Sequence, residues 1–359
     1  MIDISRYHNR SVLITGHTGF KGSWMCRVLQ QAGASVNGYA LEPPTWPALF
    51  VLADLASDMR SVNGDVRDLD RLKQVFRETQ PEIVIHMAAQ PIVRTGYRDP
   101  VLTYETNVMG TVNVLECVRQ TESVRSAVMV TTDKVYRIED DARVLEESDP
   151  LGGADPYAAS KSCTELITDS YRKSWLRERG TGLSALRAGN AIGGGDFGEG
   201  RIIPDCIRAV LTGEKIRMRH PENKRPYQHV LDPVICYLDV ALKQLEDPTL
   251  SGAYNIGPEE GSITTRSLVE RFCRTLNAQV AASGSGEPPA EYDSNGIPDM
   301  PETCDLSIAT SRIRDAFGWR DRWTVDEAME EIIAFTEVYR AGRSVQAHMD
   351  EWIERYLRG

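Results

Sequence analysis

The 359 residues are 41% hydrophobic and 26% charged, the balance of an ordinary globular chain able to bury the core of one large α/β unit with a smaller lobe. The net charge of -11 argues against a general nucleic-acid or anionic-membrane surface but allows a local basic pocket. No apolar run reaches membrane-spanning length, residues 1–10 lack an apolar leader segment, and the six histidines and seven scattered cysteines show no metal-ligand spacing. A cytoplasmic protein with reduced cysteines, no metal, no nucleic acid and no membrane partner is expected.

Taken in chain order, β-branched runs at Ser11–Thr15, Ser35–Ala40, Ser61–Asp65, Ile83–Met87, Ser126–Thr131 and Leu183–Arg187 alternate with amphipathic stretches. That rhythm predicts a Rossmann-type, doubly wound parallel sheet, with ligands in the loops after the strands. Past Arg187 the pattern breaks into glycine-rich turns, a helix near Pro204–Thr212 and short strands near Lys215–Arg217 and Tyr227–Val230. The expected division is a dinucleotide-binding domain over 1–187, to which 228–250 returns, and a mainly substrate-binding α/β lobe over 188–359. Within that lobe Ala282–Thr303 reads as a long surface loop, and Ser307–Phe317, Val325–Tyr339 and Asp350–Leu357 as helices.

The first strand runs into Gly16-His17-Thr18-Gly19-Phe20-Lys21-Gly22, followed by a helical Ser23–Gln31. Glycines at this spacing let backbone N–H groups approach a pyrophosphate at a helix N-terminus, so all seven residues are candidate dinucleotide contacts. The acid expected at the end of the second strand to bind the adenosine ribose is not clear; Glu42 is a candidate. No Arg or Lys stands there for a 2′-phosphate, which favours NAD over NADP. Asp65 can accept the adenine amino group or cap the next helix.

Tyr157 and Lys161 share one face of a helix that begins near Pro156. A phenol is ordinarily protonated near neutral pH, so its use as a base requires lowering, which Lys161 and a positively charged nicotinamide are expected to supply. Thr131-Thr132-Asp133-Lys134-Val135-Tyr136 ends the fifth strand. With Tyr157 and Lys161 this segment resembles the catalytic set of extended short-chain dehydrogenases acting on nucleotide sugars. The resemblance implies that Thr132 holds the sugar 4-hydroxyl, that Tyr157 removes its proton, and that a hydride passes to NAD. The dehydratase branch places an acid and a base directly after the Thr. Many members have Asp-Glu there; the Asp133-Lys134 pair resembles the CDP-glucose 4,6-dehydratases. Asp133 would then protonate the leaving C6 hydroxyl and Lys134 assist removal of the C5 proton, which requires a raised carboxyl pKa and a lowered ammonium pKa.

The similarity covers roughly residues 11 to 260, including His86-Met87-Ala88-Ala89-Gln90-Pro91, Thr106-Asn107, Arg187-Ala188-Gly189-Asn190 and Arg225-Pro226-Tyr227-Gln228-His229-Val230. It implies that Val66, Ala88, Ala89, Gln90 and Asn107 lie at the cofactor, and Gln90, Asn190, Arg201, Arg225 and Gln228 at a nucleotide-sugar substrate, a CDP-hexose by the same likeness. Arginines suit phosphate oxygens through bidentate contacts. Two departures stand out: 137–148 lacks the Trp- and Tyr-rich sequence of those dehydratases, and Tyr227 replaces a common Trp. A nucleotide-sugar 4-epimerase, a dehydratase of another nucleotide hexose and a non-catalytic dinucleotide sensor are the alternatives. Superfamily analogy predicts a homodimer, or a dimer of dimers, through helices near Val101–Arg119 and Tyr157–Trp175.

Overall fold

The computed structural model describes residues 2–138, 143–284, 288–293, 295 and 305–358. Seven strands form one sheet: β1 Ser11–Thr15, β2 Ser35–Ala40, β3 Arg60–Asn63, β4 Ile83–His86, β5 Ser126–Val130, β6 Gly182–Ala188 and β7 Ala253–Ile256. All pair in parallel, in the order β7-β6-β5-β4-β1-β2-β3. β4, β5 and β6 are buried along their whole length, while β3 at the edge is largely exposed. Apolar runs without strict alternation are what a sheet covered on both faces demands. The order reverses between β1 and β4, which opens the crevice at their carboxyl ends where such sheets take ligands.

One face carries α1 (Phe20–Gln31) and, near its middle, α6 (Leu231–Glu246); the other carries α2 (Leu69–Thr79), α3 (Gly110–Gln120) and α4 (Pro156–Tyr171). A third apolar cluster joins α5 (Ile202–Thr212), α7 (Thr265–Ser283) and α8 (Val325–Arg340). The chain closes with α9 (Val345–Arg358), packed on α1 and α8. After β6, the short strands Asn190–Ile192 and Tyr227–His229 pair in parallel, and α6 then carries the chain back across β5 and β6 to β7.

Six of the sheet strands fall on the expected runs, and the seventh, β7, lies beyond the expected return segment. Ser307–Phe317 is not one helix: Ser307–Ile308 pairs as a strand with Val144–Leu145, and the helix begins at Ser311. Of the expected surface loop, Ala282 and Ser283 belong to α7, and Tyr292–Asp293 pairs with Ile216–Arg217; most of its remainder lies outside the described residues. Among the described residues no helix is long and apolar enough to cross a membrane, and no cluster of His, Cys, Asp or Glu could hold a metal.

Candidate active site

The turn after β1 needs glycine for a steric reason. Gly16 has φ 78°, and a Cβ there would meet the Ala88 nitrogen at 2.7 Å; one on Gly22 would meet the Gly16 carbonyl oxygen at 2.3 Å. The backbone is therefore folded tightly against the loop after β4. Gly19 caps α1 with no side-chain hydrogen bond, and the first turn holds no acid. The positive end of a twelve-residue helix is thus left open to an anion, an arrangement that fits a dinucleotide diphosphate.

The side chains of this loop serve different ends. His17 is fully buried beneath it, bonded through Nε2 to Ser61 Oγ at 2.8 Å and packed edge-on to Phe50. Burial lowers its pKa to about 4, so His17 is a neutral strut beneath the turn. Thr18 donates to the Leu41 carbonyl at 3.0 Å. Only Lys21 points toward the catalytic groups: burial, followed by the charge of Arg201, lowers its ammonium to about 8, while Asp133 opposes the shift.

Several expected cofactor contacts are engaged within the protein. Asn107 is buried; its Oδ1 accepts the Gln90 N–H at 2.8 Å, and its Nδ2 donates to the Gln90 carbonyl at 3.1 Å and Ser160 Oγ at 2.9 Å. It clamps the loop after β4 to the helix of Tyr157. Gln90 uses its own side chain on Thr103 and the Ile92 N–H. Asp65 accepts the Arg67 backbone N–H at 2.9 Å and pairs with its guanidinium, which holds the carboxyl below its usual range. The cap of α2 is Asp68, not Asp65. Val66 packs under Gly110, the Ala88 N–H donates to Thr15 Oγ1 at 3.2 Å, and Ala89 is half-buried. Glu42 is exposed and bonded to Asn63.

At the end of β5, Thr132 caps the short turn Asp133–Val135. Its hydroxyl donates to Asp133 Oδ1 at 2.9 Å and lies close enough to the Tyr157 phenol to oppose the rise of its pKa. Asp155 caps α4 by accepting the Ala158 N–H at 3.0 Å, Pro156 stands at the first position, and Tyr157 follows directly. One turn on, the buried Lys161 ammonium donates to the Val130 carbonyl at 3.1 Å. The end of β5 and the first turns of α4 therefore bring Thr132, Asp133, Tyr157 and Lys161 together, with Lys134 next in the chain.

The electrostatics depart from expectation at Tyr157. Burial pushes its phenol up to about 12, with Thr132 and Arg201 acting the other way, so at neutral pH this site holds a protonated phenol. Burial and the Lys21 charge lower Lys161 to about 8. Asp133 is 1% exposed and raised, above all by burial, against the pull of Lys134, Arg225 and Lys21. Its Oδ2 has no partner among the described residues. A carboxyl in that state is suited to give up a proton.

Sequence reasoning missed the scaffold behind these groups. Glu165 lies one turn past Lys161, so the Tyr157–Lys161 spacing continued once more would have found it. It pairs at 3.0 Å with Arg187 of β6, both side chains being at most 4% exposed, and accepts from Thr131 Oγ1 at 2.5 Å. Arg187 also donates to the Tyr136 hydroxyl at 2.8 Å, and that hydroxyl donates to Asn255 of β7. The residues flanking Thr132–Lys134 on both sides are thereby tied to α4 and to two strands.

On the substrate side, Arg201 pairs with Asp196 at 3.0 Å and is close enough to Tyr157 and Lys21 to act on their charge. Arg225 is 4% exposed, donates to the Lys224 carbonyl at 2.8 Å, and acts on Asp133. Asn190 is half-buried. Gln228 is buried, with Nε2 3.4 Å from the Ile256 carbonyl and Oε1 without a partner among the described residues. Arg201 and Arg225 thus adjoin the catalytic groups, whereas Gln228 sits deeper against β7.

A family model described as GDP-mannose 4,6 dehydratase matches residues 13–332. A CDP-glucose 4,6-dehydratase of Salmonella typhimurium is 38% identical over 367 aligned positions, covering 99% of each chain. Among solved structures, a Thermus thermophilus UDP-glucose 4-epimerase in complex with NAD superposes with TM-score 0.72 at 26% identity, over 91% of this chain and 98% of that one. A Bacillus anthracis dTDP-glucose 4,6-dehydratase in complex with NAD gives TM-score 0.73 at 23% identity, over 92% and 98%.

Proposed function

This chain belongs to the GDP-mannose 4,6 dehydratase family, and from that premise we propose that it is an NAD-dependent hydro-lyase converting CDP-glucose to CDP-4-dehydro-6-deoxyglucose. The carrying observation is Asp133: a buried carboxyl directly after Thr132, its pKa raised by burial, with one oxygen unpartnered among the described residues and the Tyr157 phenol close to the same Thr. A 4-epimerase needs no such acid. The 38% identity to a CDP-glucose enzyme over nearly the whole chain supports the substrate.

NAD, when bound, would supply the hydride acceptor for oxidation at C4 and the hydride donor for reduction at C6, so that none would be consumed. The open N-terminus of α1 and the Gly16–Gly22 turn would hold its diphosphate. Tyr157 accepts the 4-hydroxyl proton, positioned by Thr132; its phenol, near 12 when buried alone, needs the positive charge of a nicotinamide beside it to act as a base. The C4 ketone acidifies C5. Lys134 takes the C5 proton, Asp133 gives its proton to the C6 oxygen, and C6–O cleavage releases one water and leaves a C5–C6 double bond. Lys134 returns the proton to C5 as C6 is reduced. A proton passed from Tyr157 to Asp133 restores the resting enzyme. Arg201 and Arg225 would bind the substrate diphosphate.

We also infer a homodimer. Val101 and Tyr104, with Met109, stand 65%, 39% and 50% exposed before α3, and Leu166 and Trp175 stand 61% and 45% exposed on and after α4. These apolar side chains lie on the two helical stretches expected to pair. The six described cysteines are free and mostly buried, which supports a reducing, cytoplasmic setting.

The test incubates the protein and NAD separately with CDP-, dTDP-, GDP- and UDP-glucose and follows each by mass spectrometry. Loss of one water from CDP-glucose alone is expected. Loss from another sugar nucleotide overturns the cytidine assignment, and isomerisation to galactose without water loss overturns dehydration.

A further inference from the structure

Tyr237 is a fully buried phenol in the middle of α6 whose hydroxyl has no hydrogen-bond partner among the described residues. In a helix of Val, Ile, Leu and Ala it reads as core, yet a core position gives no reason for a hydroxyl that nothing satisfies. Its place in the fold supplies one. α6 runs antiparallel to the sheet beneath it: Ala241 accepts from Ser126 at the start of β5, at 2.8 Å. Tyr237 lies one turn earlier, nearer the carboxyl end of β5, and long helical side chains lean toward the helix N-terminus. Its phenol therefore extends toward Val130 and Thr132. The Lys21 ammonium lies 5.9 Å from the centre of its ring, and Tyr157 and Asp133 are near enough for their ionisation to act on it.

Tyr237 Oη and Asp133 Oδ2 are thus two buried polar atoms left without a partner among the described residues, both toward the carboxyl end of β5. We propose that Tyr237 is a further catalytic residue, its hydroxyl donating a hydrogen bond to the C6 oxygen that Asp133 protonates and that leaves as water. The assignment rests on the dehydratase reading. No bond is made or broken at Tyr237: it holds the departing oxygen while the C6–O bond cleaves, and so acts on elimination rather than on C4 oxidation.

The experiment compares wild type with Tyr237→Phe and Asp133→Asn, alone and combined, using CDP-glucose. Tyr237→Phe is expected to lower kcat about ten- to hundredfold, the scale of a lost transition-state hydrogen bond. KM should barely change, and single-turnover nicotinamide reduction should stay near the wild-type rate while water release slows. Tm should hold or rise, because the variant removes an unsatisfied buried hydroxyl. In the Asp133→Asn background the same change should cost little more, since both groups act on one oxygen. Unchanged kcat, equal slowing of oxidation and elimination, a full additional loss in the double variant, or a loss of activity that tracks a fall in Tm would each overturn the assignment. Wild type that dehydrates no sugar nucleotide would overturn the function first; wild type that does so beside an unimpaired Tyr237→Phe would overturn Tyr237 alone.

Discussion

Glu331 of α8 and Asp133 after β5 are both buried carboxyls, and the protein treats them in opposite ways. Glu331 accepts from His348 at 2.9 Å, His229 at 3.2 Å and the Gly194 N–H at 2.6 Å. These partners overcome burial and hold its pKa at about 2. His229 Nδ1 accepts the Leu231 N–H at 3.2 Å, which fixes the tautomer that donates to Glu331. Asp133 has one neutral donor, Thr132, and an oxygen left over, so burial prevails and its pKa rises. The satisfied carboxyl joins α8, α9 and the Gly193–Gly195 turn; the unsatisfied one lies at the end of β5 beside Thr132. Where both are equally dry, the number of donors tells a structural acid from a reactive one.

Substitutions sharpen this contrast. The largest effect is expected for Tyr157→Phe, which removes the proposed acceptor of the 4-hydroxyl proton: kcat should fall about a thousandfold or more with Tm unchanged. Asp133→Asn should lower water release by about a hundred- to a thousandfold while C4 oxidation continues, so reduced nicotinamide accumulates in stopped-flow absorbance. Glu331→Gln should do the reverse, costing about 2–3 kcal/mol in denaturant unfolding as charge-assisted bonds are lost, while kcat of the folded fraction stays close to wild type. A large kcat effect at Glu331, or a large stability loss at Asp133, would break the comparison.

The pH dependence should separate the two as well. Glu331 is held below its ordinary 4.5, so its stabilisation is complete above about 4.5 and is lost as pH falls toward 2. Asp133 is raised above 3.8; its ionisation costs stability at higher pH, and that cost disappears as pH falls through its raised value. In thermal melts, the deficit of Glu331→Gln should therefore shrink on acidification from about 5 toward 2. Asp133→Asn should be at least as stable as wild type near neutrality. The smallest effect is expected for Tyr136→Phe, about 1 kcal/mol from losing the bridge between Arg187 and Asn255, with a modest fall in kcat.

What could be read from sequence was what is local. The β-branched run before Gly16 gave β1 and the start of α1, and Pro156 with the four-residue spacing of Tyr157 and Lys161 gave the start of α4 and the face these two share. Cooperation across distant segments stayed hidden. Arg187 meets Glu165 only because β6 passes behind α4, and Ser307–Ile308 is a strand rather than a helical turn because Val144–Leu145 pairs with it. β7 was missed because Ala253–Ile256 is short and carries Asn255, a polar residue whose side chain serves the network behind the site. Tyr237 carries no motif of its own, and its neighbours along α6 are core. The raised Tyr157 phenol depends on burial, which no motif encodes.

The most direct test of the central claim uses CDP-glucose carrying deuterium at C4. The account predicts a product one water lighter that keeps the deuterium, now on C6, because one hydride leaves C4 and returns within the same active site. Deuterium lost to solvent, or found again at C4 of an isomerised sugar that still holds its water, would contradict it.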